Sequence, residues 1–298
     1  MRSYLPDYHL ETPGSLAEAM ALLAREPGQW QPLAGGTDLM VGLNAGTLKA
    51  RRLLDLSRCQ ELRGIREGDG VLALGSLTCF TELLDCPAVH RHFPNLVQSA
   101  RSTGALAIQN RGTLGGNLAN ASPAADTPPS LLVYAAELEL VSVRGRRRVP
   151  YDRFHLGYKQ LDLAPDELLA SIRVPLPAGP GFHFFRKVGT RQALAITKIS
   201  LAAHGQVAQG RLAELRLALG SAGPVPLRAR AAEAALRGRP LAELARALPA
   251  ARAALLEDIC PIDDIRSTAH YRRVTAGHLL EQMVGELVSW EREPGLSR

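Results

Sequence analysis

Apolar and polar positions alternate in two different ways along this chain, and the change comes near residue 176. Ser15-Leu16-Ala17-Glu18 is a capping-box sequence ahead of an Ala/Leu-rich run, which predicts a helix ending near Arg25. Short apolar runs bounded by turn residues predict strands over 31–34, 52–56 and 71–77. Residues 138–148 read as a hairpin turning at Gly145, and 168–174 as a strand stopped by Pro175 and Pro177. The Pro/Gly-rich stretch 175–181 is the linker. Beyond it, 183–187, 196–204 and 212–219 predict three successive strands. The remainder predicts helix: 227–256, broken at Gly238, Pro240 and Pro249, and 267–290. In the last segment Tyr271, Val274, Leu280, Met283, Leu287 and Trp290 recur every three to four positions, a core-facing stripe. The pattern is that of an α+β protein without internal repeats.

Composition narrows the class. The 298 residues suffice for two or three domains, and 46% apolar with 21% charged content excludes a disordered chain. No apolar run approaches the roughly 18 residues of a membrane helix. The segment Met1-Arg2-Ser3-Tyr4-Leu5-Pro6-Asp7 has no apolar h-region, so a cytoplasmic location is expected. The net charge of +6 comes from 31 arginines against 4 lysines and reads as a solvated basic surface. Cys59, Cys79, Cys86 and Cys260 form no C-x-x-C pair, so separate reduced thiols are expected rather than a zinc or iron–sulfur site.

Two glycine pairs carry the candidate chemistry: Ala34-Gly35-Gly36-Thr37-Asp38 and Thr113-Leu114-Gly115-Gly116-Asn117. A diglycine lets backbone N–H groups approach a diphosphate with no Cβ in the way. Two such loops facing each other would grip it from both sides, with Thr37 and Thr113 adding hydroxyls; either alone also reads as a plain turn. On this view Gly35 and Gly116 are small to admit the diphosphate. A Walker A loop is absent, and Gly68-Asp69-Gly70-Val71-Leu72-Ala73 leads into a strand, so it is a hairpin turn and not a dinucleotide fingerprint. Thr127-Pro128 is a cap and first-turn pair, which puts Asp126 at a helix N-terminus. Asp126 suits either a dipole partner or a hydrogen-bond acceptor for sugar hydroxyls. The eight histidines show no metal-ligand spacing; His90 and His92 are expected in a loop. Asp263-Asp264 reads as a helix start, and Arg144 to Arg148 as a solvated hairpin tip, a poor nucleic-acid platform without aromatics beside it.

The motifs LAGGTDL (33–39), IQNRGTLGGN (108–117) and ASPAAD (121–126), with FRKVGTR (185–191), resemble the FAD-binding medium subunit of molybdenum hydroxylases, the family of xanthine dehydrogenase and carbon monoxide dehydrogenase flavoprotein subunits. The resemblance covers nearly the whole chain. It implies two FAD-binding subdomains of the vanillyl-alcohol-oxidase type, 1–56 and 57–176. A C-terminal domain, 177–298, would follow, with a three-stranded antiparallel sheet and helices. It implies FAD contacts at Pro32, Leu33, Ala34, Gly35, Gly36, Thr37, Asp38 and Leu39, and at Thr113, Leu114, Gly115, Gly116 and Asn117. Thr103, Gly104 and Ala105 would line the same cleft, and Asp126 would take the ribityl or adenosine side. Leu169 and Lys187 would lie by the flavin, with Ile196 near the ring face. The FAD would be non-covalent, since the proposed loops contain no His or Cys.

Partners follow from the same resemblance: an iron–sulfur small subunit carrying 2Fe–2S clusters and a large subunit carrying the molybdopterin cofactor, assembled as a dimer of heterotrimers. NAD+ or another acceptor would receive the electrons. No nucleic acid partner and no membrane span is implied. Two departures stand out. Arg191-Gln192-Ala193-Leu194 has no aromatic where some members place a Tyr over the ring, and there is no cysteine-rich insert for a 4Fe–4S cluster. The alternative reading is a stand-alone FAD-dependent oxidase or reductase of the same fold.

Overall fold

A computed structural model describes residues 7–191 and 194–292; Gln192, Ala193 and the first six residues of the N-terminal reading lie outside them. The first sheet is small and parallel. It contains β1 (His9–Glu11), β2 (Gln31–Leu33) and β3 (Arg52–Asp55) in the order β1-β3-β2. Parallel neighbours need crossovers, here α1 (Leu16–Arg25) and α2 (Thr37–Asn44). Ser15 Oγ caps α1 by accepting from Glu18 N–H at 3.2 Å, while Glu18 reaches past Ser15 to Gly14 N–H at 2.8 Å. Leu16, Ala19 and Leu23 then bury against Trp30, Leu54 and Leu62.

The second sheet is antiparallel. Its order β4-β5-β10-β6-β7 joins the hairpins β4 (Ile65–Gly68)/β5 (Val71–Gly75) and β6 (Glu137–Ser142)/β7 (Gly145–Pro150) through β10 (Leu168–Pro175). Asp69 and Gly70 hold φ of 52° and 70°, the left-handed pair a tight hairpin needs. A helical layer packs on this sheet: α3 (Phe80–Asp85), α4 (Pro87–His92), α5 (Pro94–Arg101), α6 (Leu106–Gln109), α7 (Leu114–Ala119) and α8 (Thr127–Val133). A two-stranded ribbon, β8 (His155–Gly157) and β9 (Gln160–Leu161), precedes β10.

The C-terminal sheet has the order β11-β12-β13-β14, antiparallel throughout. It contains β11 (Phe182–Val188), β12 (Ile199–Ala208), β13 (Arg211–Gly220) and β14 (Leu227–Arg228). Period-two alternation splits its faces. Phe185, Ala202 and Ala218, directly paired, join the core of the N-terminal part. Phe184, Ala203 and Leu217, one step along, bury against α9 (Arg230–Leu236), α10 (Leu244–Asp258) and α11 (Ala269–Arg292).

Several expectations are corrected. The C-terminal sheet has four strands, not three, because Leu227 and Arg228 pair with Leu219 and Ala218 before the helix begins. Pro249 lies inside α10 instead of breaking it. Both Pro249 and Ala245, whose carbonyl loses its donor, are exposed, so water takes that carbonyl. The β6/β7 turn falls on Val143 and Arg144, with Gly145 already in β7. Ile196 precedes β12 and is not a strand residue. His90 and His92 end a helix. The basic hairpin is not simply solvated. Arg147 bonds Glu167 and Asp162 at 2.8–3.0 Å, Arg146 bonds Glu139 at 3.1 Å, and Arg144 bonds Asp166. Within the last stripe Tyr271 is exposed, while Ala276, Leu279 and Val284 join the core.

Candidate functional site

The two glycine loops meet. The first joins β2 to α2, and Gly36, at φ 76°, is the α2 N-cap. Main-chain N–H groups of Gly35, Gly36, Thr37, Asp38 and Leu39 find no acceptor among the described residues. Successive N–H groups turned the same way at a helix N-terminus form an anion-binding concavity. The second loop enters α7 with its N–H groups from Leu114 to Asn117 all bonded. Leu114 N–H donates to Thr78 O, Gly115 N–H to Ser76 O, and Gly116 N–H to Thr113 Oγ1 at 3.1 Å. The unbonded N–H groups are thus concentrated in the first loop.

Gly35 is small for a reason other than the expected one. A Cβ on Gly35 would stand 1.8 Å from Arg111 O, and one on Gly115 would stand 2.5 Å from Ser76 Cβ. Both are required by backbone packed on backbone. Gly116 faces the cleft more openly; its Cβ would meet Thr113 Oγ1 at 2.9 Å and Ala34 Cβ at 3.8 Å.

Between the loops runs a cleft of about 480 Å³. Of the residues singled out in the sequence, Pro32, Ala34, Gly35, Gly36, Thr37, Asp38, Leu39, Thr103, Thr113, Gly115, Gly116, Asn117 and Leu169 line it. The others do not. Leu33 is held in β2 opposite Asp55, and Leu114 is wholly buried in the core. Gly104, at φ 58°, has Ile108 where its side chain would be, and Ala105 caps α6. Ile196 is 61% exposed on the segment before β12. Lining residues outside the motifs include Phe80, Lys159, Leu161, Leu163 and Glu167, and Ile108 lines it from within the second motif. Lys159 had one available signal, the scarcity of lysines beside the arginines. The apolar residues had none, since in sequence they resemble any core positions.

Asp126, which is buried, and Lys187, which is largely so, stand outside the lining residues as an ion pair. Lys187 Nζ donates to Asp126 Oδ2 at 2.7 Å and to Ser102 O at 2.9 Å; Thr197 Oγ1 donates to Asp126 Oδ1 at 2.6 Å. Burial pushes the Asp126 carboxyl up, opposed by Lys187 and then Thr197. Asp126 occupies the N-cap position of α8 without capping it, because its oxygens are turned to the C-terminal part. The pair fixes Ser102, neighbour of the lining Thr103, against β11.

Cys59, Cys79, Cys86 and Cys260 are free thiols. No cluster of three metal-ligating side chains occurs among the described residues, and no helix among them is long and apolar enough to cross a membrane. Lining residues include neither His nor Cys.

A free N–H concavity, a backbone-packed glycine wall and apolar sides define a binding cleft for a dinucleotide with flat aromatic rings, of the flavoprotein class. Comparison with known proteins agrees. Residues 6–177 match the FAD binding domain in molybdopterin dehydrogenase, and 184–287 match the CO dehydrogenase flavoprotein C-terminal domain. The chain belongs to this family of FAD-binding subunits of molybdenum hydroxylases, which are oxidoreductases. It is 37% identical to a putative xanthine dehydrogenase FAD-binding subunit of Escherichia coli K12, over 92% of each chain. It is 30% identical to the carbon monoxide dehydrogenase medium chain of Hydrogenophaga pseudoflava, over 96% of this chain and 98% of that one. Among solved structures, carbon monoxide dehydrogenase of the same organism superposes with a TM-score of 0.90 at 31% identity, covering 96% and 98% of the two chains. Quinoline 2-oxidoreductase of Pseudomonas putida 86 gives a TM-score of 0.88 at 26% identity, with the same coverage.

Proposed function

We propose that this chain is the FAD-carrying electron-transfer subunit of a multi-subunit molybdenum hydroxylase. It takes electrons from the 2Fe–2S clusters of a small partner subunit and delivers them to NAD+ or another acceptor. A large partner subunit with the molybdopterin cofactor supplies those electrons by oxidising the substrate. The assembly is a cytoplasmic dimer of heterotrimers. The observation that carries this reading is the run of five unbonded N–H groups from Gly35 to Leu39, facing the second glycine loop across one cleft.

When bound, the flavin supplies one- and two-electron redox chemistry that no side chain here offers. The chain's own work is to bind and orient it. Residues 35–39 donate to the diphosphate, and 113–117 form the opposing wall. Phe80, Ile108, Leu161 and Leu169 give apolar surface for the rings. The Asp126–Lys187 pair acts from behind Thr103, with Gly104, Ala105 and Ile196 on the same side. Residues 1–56 and 57–176 together make the FAD-binding part, and 177–298 the flavoprotein C-terminal domain.

Purification with native partners tests the assembly: an iron–sulfur chain and a molybdenum chain should accompany this one. The isolated chain should show flavin absorbance and pass electrons from NADH to a dye. It should not oxidise a purine, an aldehyde or carbon monoxide. Turnover of any of these by the isolated chain would overturn the subunit reading in favour of a stand-alone oxidase.

A further inference from the structure

The cleft holds one ammonium that neither glycine motif contains. Lys159 is the only lysine or arginine among the described residues lining it. The residue sits between β8 and β9 at φ 58°, a conformation that side chains other than glycine seldom adopt and that persists where surrounding contacts dictate it. Its Nζ donates to the carbonyl oxygen of Asn120, the residue ending α7, and to Asn120 Oδ1 at 2.8 Å. An ammonium has three N–H donors. Two are committed to Asn120, which fixes the head and leaves the third for the cleft.

The charge is placed to matter. Burial lowers the Lys159 pKa, and the Asp38 carboxylate pulls it back up, which puts the ammonium in the field of the first glycine loop. Asp38 lies in the first turn of α2, the helix whose N-terminus carries the unbonded N–H groups. Two other cations close by are committed elsewhere: Arg147 to Glu167 and Asp162, and Lys187 to Asp126. A diphosphate brings two negative charges into this cleft, and main-chain N–H groups answer them only with partial charges. Among the described residues that line the cleft, Lys159 is the one that carries a full positive charge.

We propose that Lys159, held by Asn120, is the charged anchor for the diphosphate of the bound dinucleotide; this rests on the FAD reading and adds a residue the glycine loops do not supply. The test is FAD titration of the full chain by flavin fluorescence at low and high salt, for the wild type, Lys159→Met and Lys159→Arg. ADP serves as a competitor bearing the diphosphate, and riboflavin as a probe without phosphate. Lys159→Met should weaken FAD and ADP by about 10- to 100-fold, the effect of a charge-assisted hydrogen bond. It should also flatten the salt dependence, leave riboflavin binding unchanged and keep the circular dichroism of the flavin-free chain. Lys159→Arg should recover most of the affinity. Unchanged FAD affinity and salt dependence in Lys159→Met would overturn the proposal. Equal loss of riboflavin would also overturn it, by showing that the lysine merely ties the hairpin to α7. A wild-type chain that binds no FAD would instead defeat the flavin reading itself.

Discussion

At Gly35 the cost of a single methyl group can be argued from geometry alone. Its Cβ would stand 1.8 Å from Arg111 O, a backbone atom that cannot rotate away. Gly35→Ala must therefore push the two glycine loops apart. We expect a folded protein by circular dichroism with FAD affinity reduced at least about 100-fold, because the first loop is displaced relative to its opposing wall. Full flavin occupancy in the purified variant would refute this. Asp126 presents a different case, a buried charge with a largely buried partner. Asp126→Ala leaves the Lys187 ammonium uncompensated, so it should cost about 3–5 kcal/mol in urea unfolding. Adding Lys187→Met should restore part of that loss, since no charge then remains to be buried. A double variant as unstable as the sum of the two singles would show the pair to be uncoupled. Both residues stand out in the sequence, yet their contact spans 61 positions and is visible only in the fold.

Between elements, the C-terminal sheet is joined to α5 and α8 by an unusual polar seam. Tyr134 OH receives Asn95 N–H and meets His183 Nδ1, both at 3.0 Å, and the His183 and His204 rings stack at 4.8 Å. Burial, with His204 nearby, holds His183 down to about 3, and burial also lowers His204. Both are bases whose folded pKa lies below the unfolded value of about 6.5. The unfolded chain then binds more protons between these values, so their stabilisation is complete above about pH 6.5 and declines as the pH falls below it. The urea midpoint should drop between pH 7 and pH 5, before most carboxylates titrate. A flat midpoint across that window would exclude neutral burial of this pair. Element identity was largely legible here, because period-two and period-3.6 patterns report burial directly. What failed was local: β14 forms because an edge was free to be paired, and Pro249 is tolerated because its turn faces water. Neither neighbour relation is written in the local pattern.

On the scale of the whole molecule, the cleft gathers 31–39, 76–80, 103–120 and 159–169, segments from both N-terminal sheets and their helices. No His or Cys is among the described residues lining the cleft, so FAD bound there is expected to be held without a covalent bond. Acid precipitation should leave the yellow colour in the supernatant, and colour retained in the pellet would overturn non-covalent binding. The sequence by itself determined the α+β class, most elements, and both glycine loops, because turns and periodicities are local consequences of backbone sterics and burial. It also carried the family, through motifs spaced over nearly the whole chain. Only the tertiary structure decided that the loops face each other, that one donates and the other is sealed, that Asp126 turns to Lys187, and that Lys159 enters the cleft. These depend on distances between residues tens of positions apart, which packing sets and local pattern does not encode.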